Sequence, residues 1–267
     1  MSDKKRIACF FTAGYTELNA MKIFMQKINE NVNYIQLCPC GPRKSKSAIQ
    51  GRQKCNVEYE HNGLTGDSLI QYIVKQVQEQ DFLKEYDAIL IEDDKDDRFM
   101  KIIKDGTADY DVLAWKQHKE DVRKQIHKIC PDIKIIFFYA APEVEAWFLA
   151  DFDNSFGYAY RNMLSTKEND LFAVRYRKYI NDNILTERYK ECIEQYGYFE
   201  GVYSKLSEKI QCSLDEKDFL EEYRDHNDVH YSKRRDGETM LRMIKPENVI
   251  KKCNYYFREG YLQLKDI

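Results

Sequence analysis

The chain has 267 residues, and 42 Lys and Arg stand against 45 Asp and Glu, so its formal net charge is −3. This balance excludes a histone-like basic wrapper and an acidic tail protein. A hydrophobic content of 43% with only 5 prolines indicates a globular chain without long disordered stretches. At this length we expect one large domain, or a core with an appendage.

Nothing in the chain predicts contact with a membrane. No apolar run approaches the roughly 20 residues that span a bilayer, and the N-terminal residues show no cleavage-site pattern. We therefore expect a cytoplasmic protein. The eight cysteines are scattered, several of them inside apolar runs, which predicts free thiols.

Four apolar runs in the first part of the chain predict strands, at 6–11, 33–37, 87–92 and 133–139. Between them, apolar residues recur at the three- and four-residue spacing of helices with one buried face. Strands that are apolar throughout and alternate with helices predict an α/β fold with a parallel sheet flanked by helices.

The pattern changes after Asp151, where the segments predict amphipathic helices, for example at 172–180 and 186–196. A last helix is predicted from Pro246 to about Tyr256, because proline is tolerated in the first turn. We expect an α/β core over residues 1–150. Residues 151–267 would form an α-helical C-terminal appendage whose last segment packs back on the core.

Carboxylates follow three of the four predicted strands, and ligands of open parallel sheets collect at the carboxyl ends of strands. The candidates are Glu17, Glu92, Asp94 and Glu145. So many acids at one edge are unfavourable unless a cation lies between them, and oxygen-only ligands suit Mg²⁺ or Mn²⁺. Spacing leaves a second interpretation open, with Glu17 as a helix-terminus charge, the acids after Glu92 as a solvated loop, and Glu145 on one face of an amphipathic helix.

The order of these motifs resembles the Toprim domain, and especially Toprim-like proteins related to OLD-family nucleases. A glycine turn runs from Gly14 to Glu17, an acid-x-acid motif follows strand three, and Glu145 opens a Glu-Ala-Trp segment that ends at Asp151. The segment from Tyr231 through Lys233 is similar to the family's closing pattern. The resemblance covers 6–151 and 231–264 and omits the helical middle.

The resemblance implies a Toprim-like fold and a metal-dependent nuclease of antiviral defence that acts with an ATPase partner. Its implied catalytic set is Glu17, Glu92, Asp94, Glu145 and Lys233. The four carboxylates would hold one or two Mg²⁺ or Mn²⁺ ions, and the lysine would neutralise developing phosphate charge.

Two departures from the family pattern favour other functions. Ala13 stands where the family has its first glutamate, and Glu92 stands where aspartate is usual. A one-metal enzyme is one alternative. A second is a degenerate, non-catalytic module that binds a partner protein or nucleic acid, and a third is a nuclease directed at RNA or tRNA.

Basic residues near the predicted site are candidates for contact with the phosphates of nucleic acid, DNA being favoured over RNA. They are Arg43, Lys44, Lys46, Arg52 and Lys54 in the loop after strand two, and Arg234 and Arg235 beside Lys233. The alternative for the loop is a solvated segment. The oligomeric state stays open, a homo-oligomer included.

Other groups of residues give weaker evidence for a functional site. Cys38 and Cys40 lack a second cysteine pair, and His226 and His230 lack a third ligand, so zinc is not predicted. No phosphate-loop, dinucleotide or nucleophile-elbow motif occurs, so ATP hydrolysis and nicotinamide chemistry by this chain are not predicted.

Overall fold

The fold is α/β, as predicted, with a four-stranded, all-parallel sheet. The computed structural model describes residues 4–12, 14–39, 64–78, 82–103, 108–161, 172–197, 204–215 and 231–267. The strands of the sheet are β1 (Arg6–Phe10), β2 (Asn33–Cys38), β3 (Ala88–Asp94) and β6 (Lys134–Ala140), in the spatial order β2-β1-β3-β6. A separate antiparallel hairpin pairs β4 (Met100–Ile102) with β5 (Ala108–Tyr110).

Helices surround the sheet and make up most of the second half of the chain. In chain order they are α1 (Tyr15–Ile28), α2 (Gly66–Val77), α3 (Phe82–Glu85), α4 (Val112–His127), α5 (Glu145–Ala150), α6 (Phe156–Ala159), α7 (Phe172–Tyr179), α8 (Thr186–Tyr189), α9 (Leu206–Asp215), α10 (Glu238–Met243), α11 (Pro246–Val249) and α12 (Tyr256–Lys265). Two π-helical segments, Ile180–Leu185 and Lys233–Gly237, lie among them.

The strands are apolar along their whole length because both faces of the sheet are covered. In β1, Ile7 and Cys9 face the core that includes α1 and α5, whereas Ala8 and Phe10 face the core that includes α2 and α4. Successive side chains of a strand point to opposite faces, so neither face leaves room for an alternating polar pattern.

The C-terminal helix α12 covers part of the sheet directly. A methyl group added to Gly260 would lie 2.5 Å from the ring of Phe138 and 2.8 Å from a backbone oxygen of the same strand, so glycine allows this close approach. Phe257 packs on Trp147, with ring centroids 5.2 Å apart, and Trp147 stacks on Phe24 at 5.3 Å. Residues before and after position 150 therefore share one hydrophobic core.

The end of the chain differs from the prediction of one helix from Pro246 to about Tyr256. Helix α11 ends at Val249, and α12 begins at Tyr256. The buried carboxylate of Glu194 accepts hydrogen bonds from the backbone N–H groups of Tyr255 (2.6 Å) and Phe257 (2.7 Å), and this starts a second helix. Within the described residues no helix is long and apolar enough to cross a membrane.

Candidate functional site

The candidate site lies at the carboxyl end of β3, where three successive acids have different surroundings. Asp93 accepts hydrogen bonds from Thr12 Oγ1 (3.1 Å) and from the backbone N–H of Gly66 (3.0 Å), and it pairs with Arg98 at 2.6 Å. Its neighbours Glu92 and Asp94 interact instead with charges on α1 and α5. Asp93 is therefore a structural tie, and its neighbours belong to the candidate site.

Thr12, just after β1, fixes this edge of the sheet and was missed from the sequence. Its backbone N–H donates to Glu92 Oε2 at 3.1 Å and to the backbone oxygen of Glu92 at 3.0 Å. Its hydroxyl accepts from the backbone N–H of Asp94 at 3.3 Å. These contacts hold the turn after β1 against the acids of β3. A small polar residue at the end of a strand gave no signal of this role.

Glu17 is buried in the first turn of α1 and lies against Gly14. A methyl group added to Gly14 would come within 2.2 Å of Glu17 Oε2, so this glycine leaves the space that the carboxylate occupies. Burial raises the pKa of Glu17 to about 7, against the opposing effect of Lys233 and with a further rise from Glu145. The carboxylate is therefore close to the other acids and stabilised by no ion pair of its own among the described residues.

Glu92 and Asp94 have the most unfavourable surroundings for negative charge. Burial raises the pKa of both well above the ordinary value, and Glu17 raises both further. Asp94 accepts a hydrogen bond from the backbone N–H of Val144 at 3.0 Å. Glu92 Oε1 is buried and, among the described residues, has no hydrogen-bond partner. Such an oxygen is costly to bury unless something else binds it.

Glu145 and Lys233 meet at the other side of this cluster. Glu145 is fully buried at the start of α5, and its Oε1 accepts a hydrogen bond from the Tyr231 hydroxyl at 2.6 Å. Its Oε2 lies 3.2 Å from Lys233 Nζ. Burial raises the pKa of Glu145, although Lys233 opposes this. Burial would lower the pKa of Lys233, but Glu145, Asp94 and Glu143 raise it, so its ammonium stays charged.

Glu143 is a fifth carboxylate of this cluster that sequence reasoning did not select. It lies 3.1 Å from Lys233 Nζ and accepts hydrogen bonds from Ser207, at the start of α9. Burial favours a raised pKa, but Lys233 and Ser207 outweigh it, so the pKa of Glu143 is lowered. The available signal was an acid two residues before Glu145, directly ahead of a helix.

The acids further along the run after β3 do not join the cluster. Lys95 is fully buried, and its ammonium donates to the backbone oxygens of Asp96 (3.1 Å) and Arg98 (3.0 Å). Asp96 and Phe99 adopt positive φ angles of 50° and 59°, which side chains other than glycine rarely take. The predicted solvated loop is therefore a tightly folded turn, and only Asp97 in it is exposed.

The predicted nucleic-acid contacts are described only in part. Arg234 and Arg235 are exposed on the π-helical segment Lys233–Gly237, and Arg235 Nε pairs with Asp236 at 2.7 Å. The other predicted nucleic-acid contacts lie outside the described residues: Arg43, Lys44, Lys46, Arg52 and Lys54. Three residues discussed for other reasons, Ala13, His226 and His230, lie outside them as well.

The chemistry of these residues suits a metal ion, but their present arrangement does not already form a metal site. In the described part of the chain, no three His, Cys, Asp or Glu side chains stand in a geometry that could already hold a metal ion. The donors are all carboxylate oxygens, as Mg²⁺ and Mn²⁺ prefer. The buried Glu92 Oε1 and Glu145 Oε2 make no hydrogen bond to any described residue. Binding would require the carboxylates to draw closer together.

Comparisons of the chain with protein-family models, with curated proteins and with solved structures find no match. The Toprim resemblance therefore remains an expectation from the motifs.

Proposed function

We propose that the protein is a Mg²⁺- or Mn²⁺-dependent nuclease that hydrolyses phosphodiester bonds of DNA. The observation that carries this proposal is the excess of buried carboxylates over cations at the carboxyl edge of the sheet. Glu17, Glu92 and Asp94 have raised pKa values because burial disfavours their charge and they repel one another. A divalent cation would remove this penalty.

Lys233 alone does not balance the cluster. Its single charge is shared between Glu143 and Glu145, at 3.1 and 3.2 Å. Glu17, Glu92 and Asp94 have no ion pair within the described residues, and the buried Glu92 Oε1 has no hydrogen-bond partner there. Glu17, Glu92, Asp94 and Glu145 are accordingly the residues that would hold the ion. When bound, the ion would activate a water molecule and neutralise charge on the phosphate.

An open cleft beside Lys233 offers a place for a phosphate, although none of the five carboxylates of the cluster lines it. The cleft has a volume of about 380 Å³ and is lined in part by Ser207, Tyr231 and Lys233. The side chain of Lys233 is 40% exposed, and its ammonium would bind a phosphate oxygen that enters the cleft. The exposed Arg234 and Arg235 follow it directly and would contact neighbouring phosphates.

The biological setting is proposed from the motif resemblance alone. It includes a role in antiviral defence and an ATPase protein partner. RNA or tRNA is the alternative substrate, because the same cluster would cleave either polymer.

One observation favours a second function, a non-catalytic module that binds a partner protein or nucleic acid. Lys233 already pairs with two of the carboxylates, Glu143 at 3.1 Å and Glu145 at 3.2 Å. An internal ammonium of this kind can stand in for a lost metal ion. The Ala13 position, where the resembling family has glutamate, agrees with this function.

Cleavage assays separate the two functions. We expect the full-length protein to cut plasmid DNA, linear DNA or tRNA with Mn²⁺, and a variant carrying Glu92→Ala and Asp94→Ala to lose this activity. Asp97→Asn is the matched control, because Asp97 is an exposed acid of the same run. If the wild type cuts no more than the double variant, the nuclease function is rejected.

A further inference from the structure

Glu143 lies where three parts of the chain meet. It follows β6, and its side chain is 2% exposed. Oε2 accepts a hydrogen bond from the backbone N–H of Ser207, and Oε1 accepts one from the Ser207 hydroxyl, both at 2.9 Å. Oε1 also accepts a hydrogen bond from Lys233 Nζ at 3.1 Å. Ser207 thus binds both oxygens of the carboxylate, and Lys233 binds Oε1 as well.

Lys233 is bound differently by its two acidic neighbours. Its contact with Glu143 is a hydrogen-bonded ion pair. Glu145 Oε2 lies 3.2 Å away but makes no hydrogen bond to a described residue. Glu145 is instead held by Tyr231 through its other oxygen. The ammonium is therefore hydrogen-bonded to Glu143 and ion-paired with Glu145, and only the Glu143 carboxylate is also fixed by Ser207.

We propose that Glu143 is a positioning residue that anchors the ammonium of Lys233 at the cleft, so that a divalent cation can displace the ammonium from Glu145 and bind Glu145 and Asp94. This inference rests on the proposed metal-dependent function. Without the anchor, the ammonium would move onto Glu145 and Asp94, the nearest remaining acids, and compete with the cation for them.

A purely structural role for Glu143 has different consequences. In that case the carboxylate would only tie α9 to the core through Ser207. Glu143→Gln separates the roles, because the amide oxygen can still accept from Ser207 but offers no charge to Lys233. Lys233→Met removes the competing ammonium itself.

The test is a double-mutant cycle on Mn²⁺ affinity, measured by titration calorimetry on the full chain. We expect Glu143→Gln to weaken Mn²⁺ binding roughly 10–100-fold, as is typical when a residue that orients metal ligands is lost. In the Lys233→Met background the same substitution should change the affinity by less than about threefold, because no ammonium remains to compete. Glu208→Gln is the matched control, since Glu208 is exposed, follows Ser207 on α9 and lines the cleft beside Lys233.

Two outcomes would overturn the proposal: an equal loss of Mn²⁺ affinity in both backgrounds, or no loss in either, with melting temperatures showing that each variant is folded. A wild type that binds no Mn²⁺ instead rejects the proposed function. The hydrogen bond from Lys233 to Glu143 is then tested without metal, by the ¹⁵N spectrum of the lysine ammonium groups. A hydrogen-bonded Lys233 signal that disappears in Glu143→Gln supports the anchor, and its absence from the wild type contradicts it.

Discussion

At the scale of single residues, neighbouring acids differ in their roles because their partners differ. Asp93 has a guanidinium, a hydroxyl and a backbone N–H within hydrogen-bonding distance. Asp94 has one backbone donor and the charge of Lys233 nearby, against several carboxylates that repel it. The first arrangement satisfies a buried carboxylate, although burial still raises the pKa of Asp93, and the second leaves negative charge unfavourable until a cation arrives.

Substitution of these two aspartates should therefore affect stability unequally. We expect Asp93→Ala to lower the free energy of unfolding by about 3 kcal/mol, because it leaves Arg98 without its buried partner. Asp94→Ala should lower it by less than about 1 kcal/mol, since a lost hydrogen bond is offset by relieved repulsion. Urea denaturation without divalent metal measures both. Equal losses in the free energy of unfolding would show that the two side chains do not have these different roles.

At the scale of elements, the π-helical segment Lys233–Gly237 is held against the start of α1. A methyl group added to Gly237 would lie 2.3 Å from Thr16 Oγ1 and 3.3 Å from Thr16 Cβ. The Thr16 hydroxyl in turn donates to the backbone oxygen of Lys233 at 3.3 Å. The close packing of these two elements sets the position of the catalytic lysine candidate.

Gly237→Ala should displace the π-helical segment and Lys233 with it. We expect a loss of about 1–3 kcal/mol in stability from overpacking, together with reduced DNA cleavage. Adding Thr16→Ala removes the obstructing side chain and should restore most of both quantities. Denaturation and cleavage assays on the two variants measure this. Cleavage by Gly237→Ala at the wild-type rate would show that the packing does not position Lys233.

At the scale of the whole molecule, the sequence predicted the sheet better than it predicted the pairing of side chains. The four strands end within two residues of their predicted bounds, because strands buried on both faces leave a clear apolar run. The β4–β5 hairpin was missed, since strands of three residues are too short for a periodic pattern. The pairing of Glu143 with Lys233 spans 90 positions and leaves no local signal.

The carboxylates also predict how the stability of the whole molecule depends on pH. Burial raises the pKa of Glu17 and of Glu194 from 4.5 to about 7, and those of Glu92 and Asp94 rise as well. The folded protein then binds more protons than the unfolded chain between pH 4.5 and 7, so stability falls as the pH rises through this range. Glu17 and Glu194 each contribute about 3 kcal/mol to this fall.

His118 acts in the opposite direction, because burial lowers its pKa from 6.5 to about 4, but the pKa values of Asp93 and Glu145 are raised too, so it is one group against six. We therefore expect the melting temperature without metal to decrease from pH 5 to pH 7, and Mn²⁺ at pH 7 to recover part of the loss. Thermal melts in matched buffers measure both effects. A melting temperature that rises with pH over this range would contradict the predicted carboxylate cluster.

Calorimetric titration of the full chain with Mn²⁺ at pH 7.5 measures whether the acids at the carboxyl edge of the sheet bind a divalent cation. We expect saturable binding by the wild type and by Asp97→Asn, and loss of binding when Glu92→Gln is combined with Asp94→Asn. No binding by the wild type, or equal binding by the double variant, would contradict this expectation.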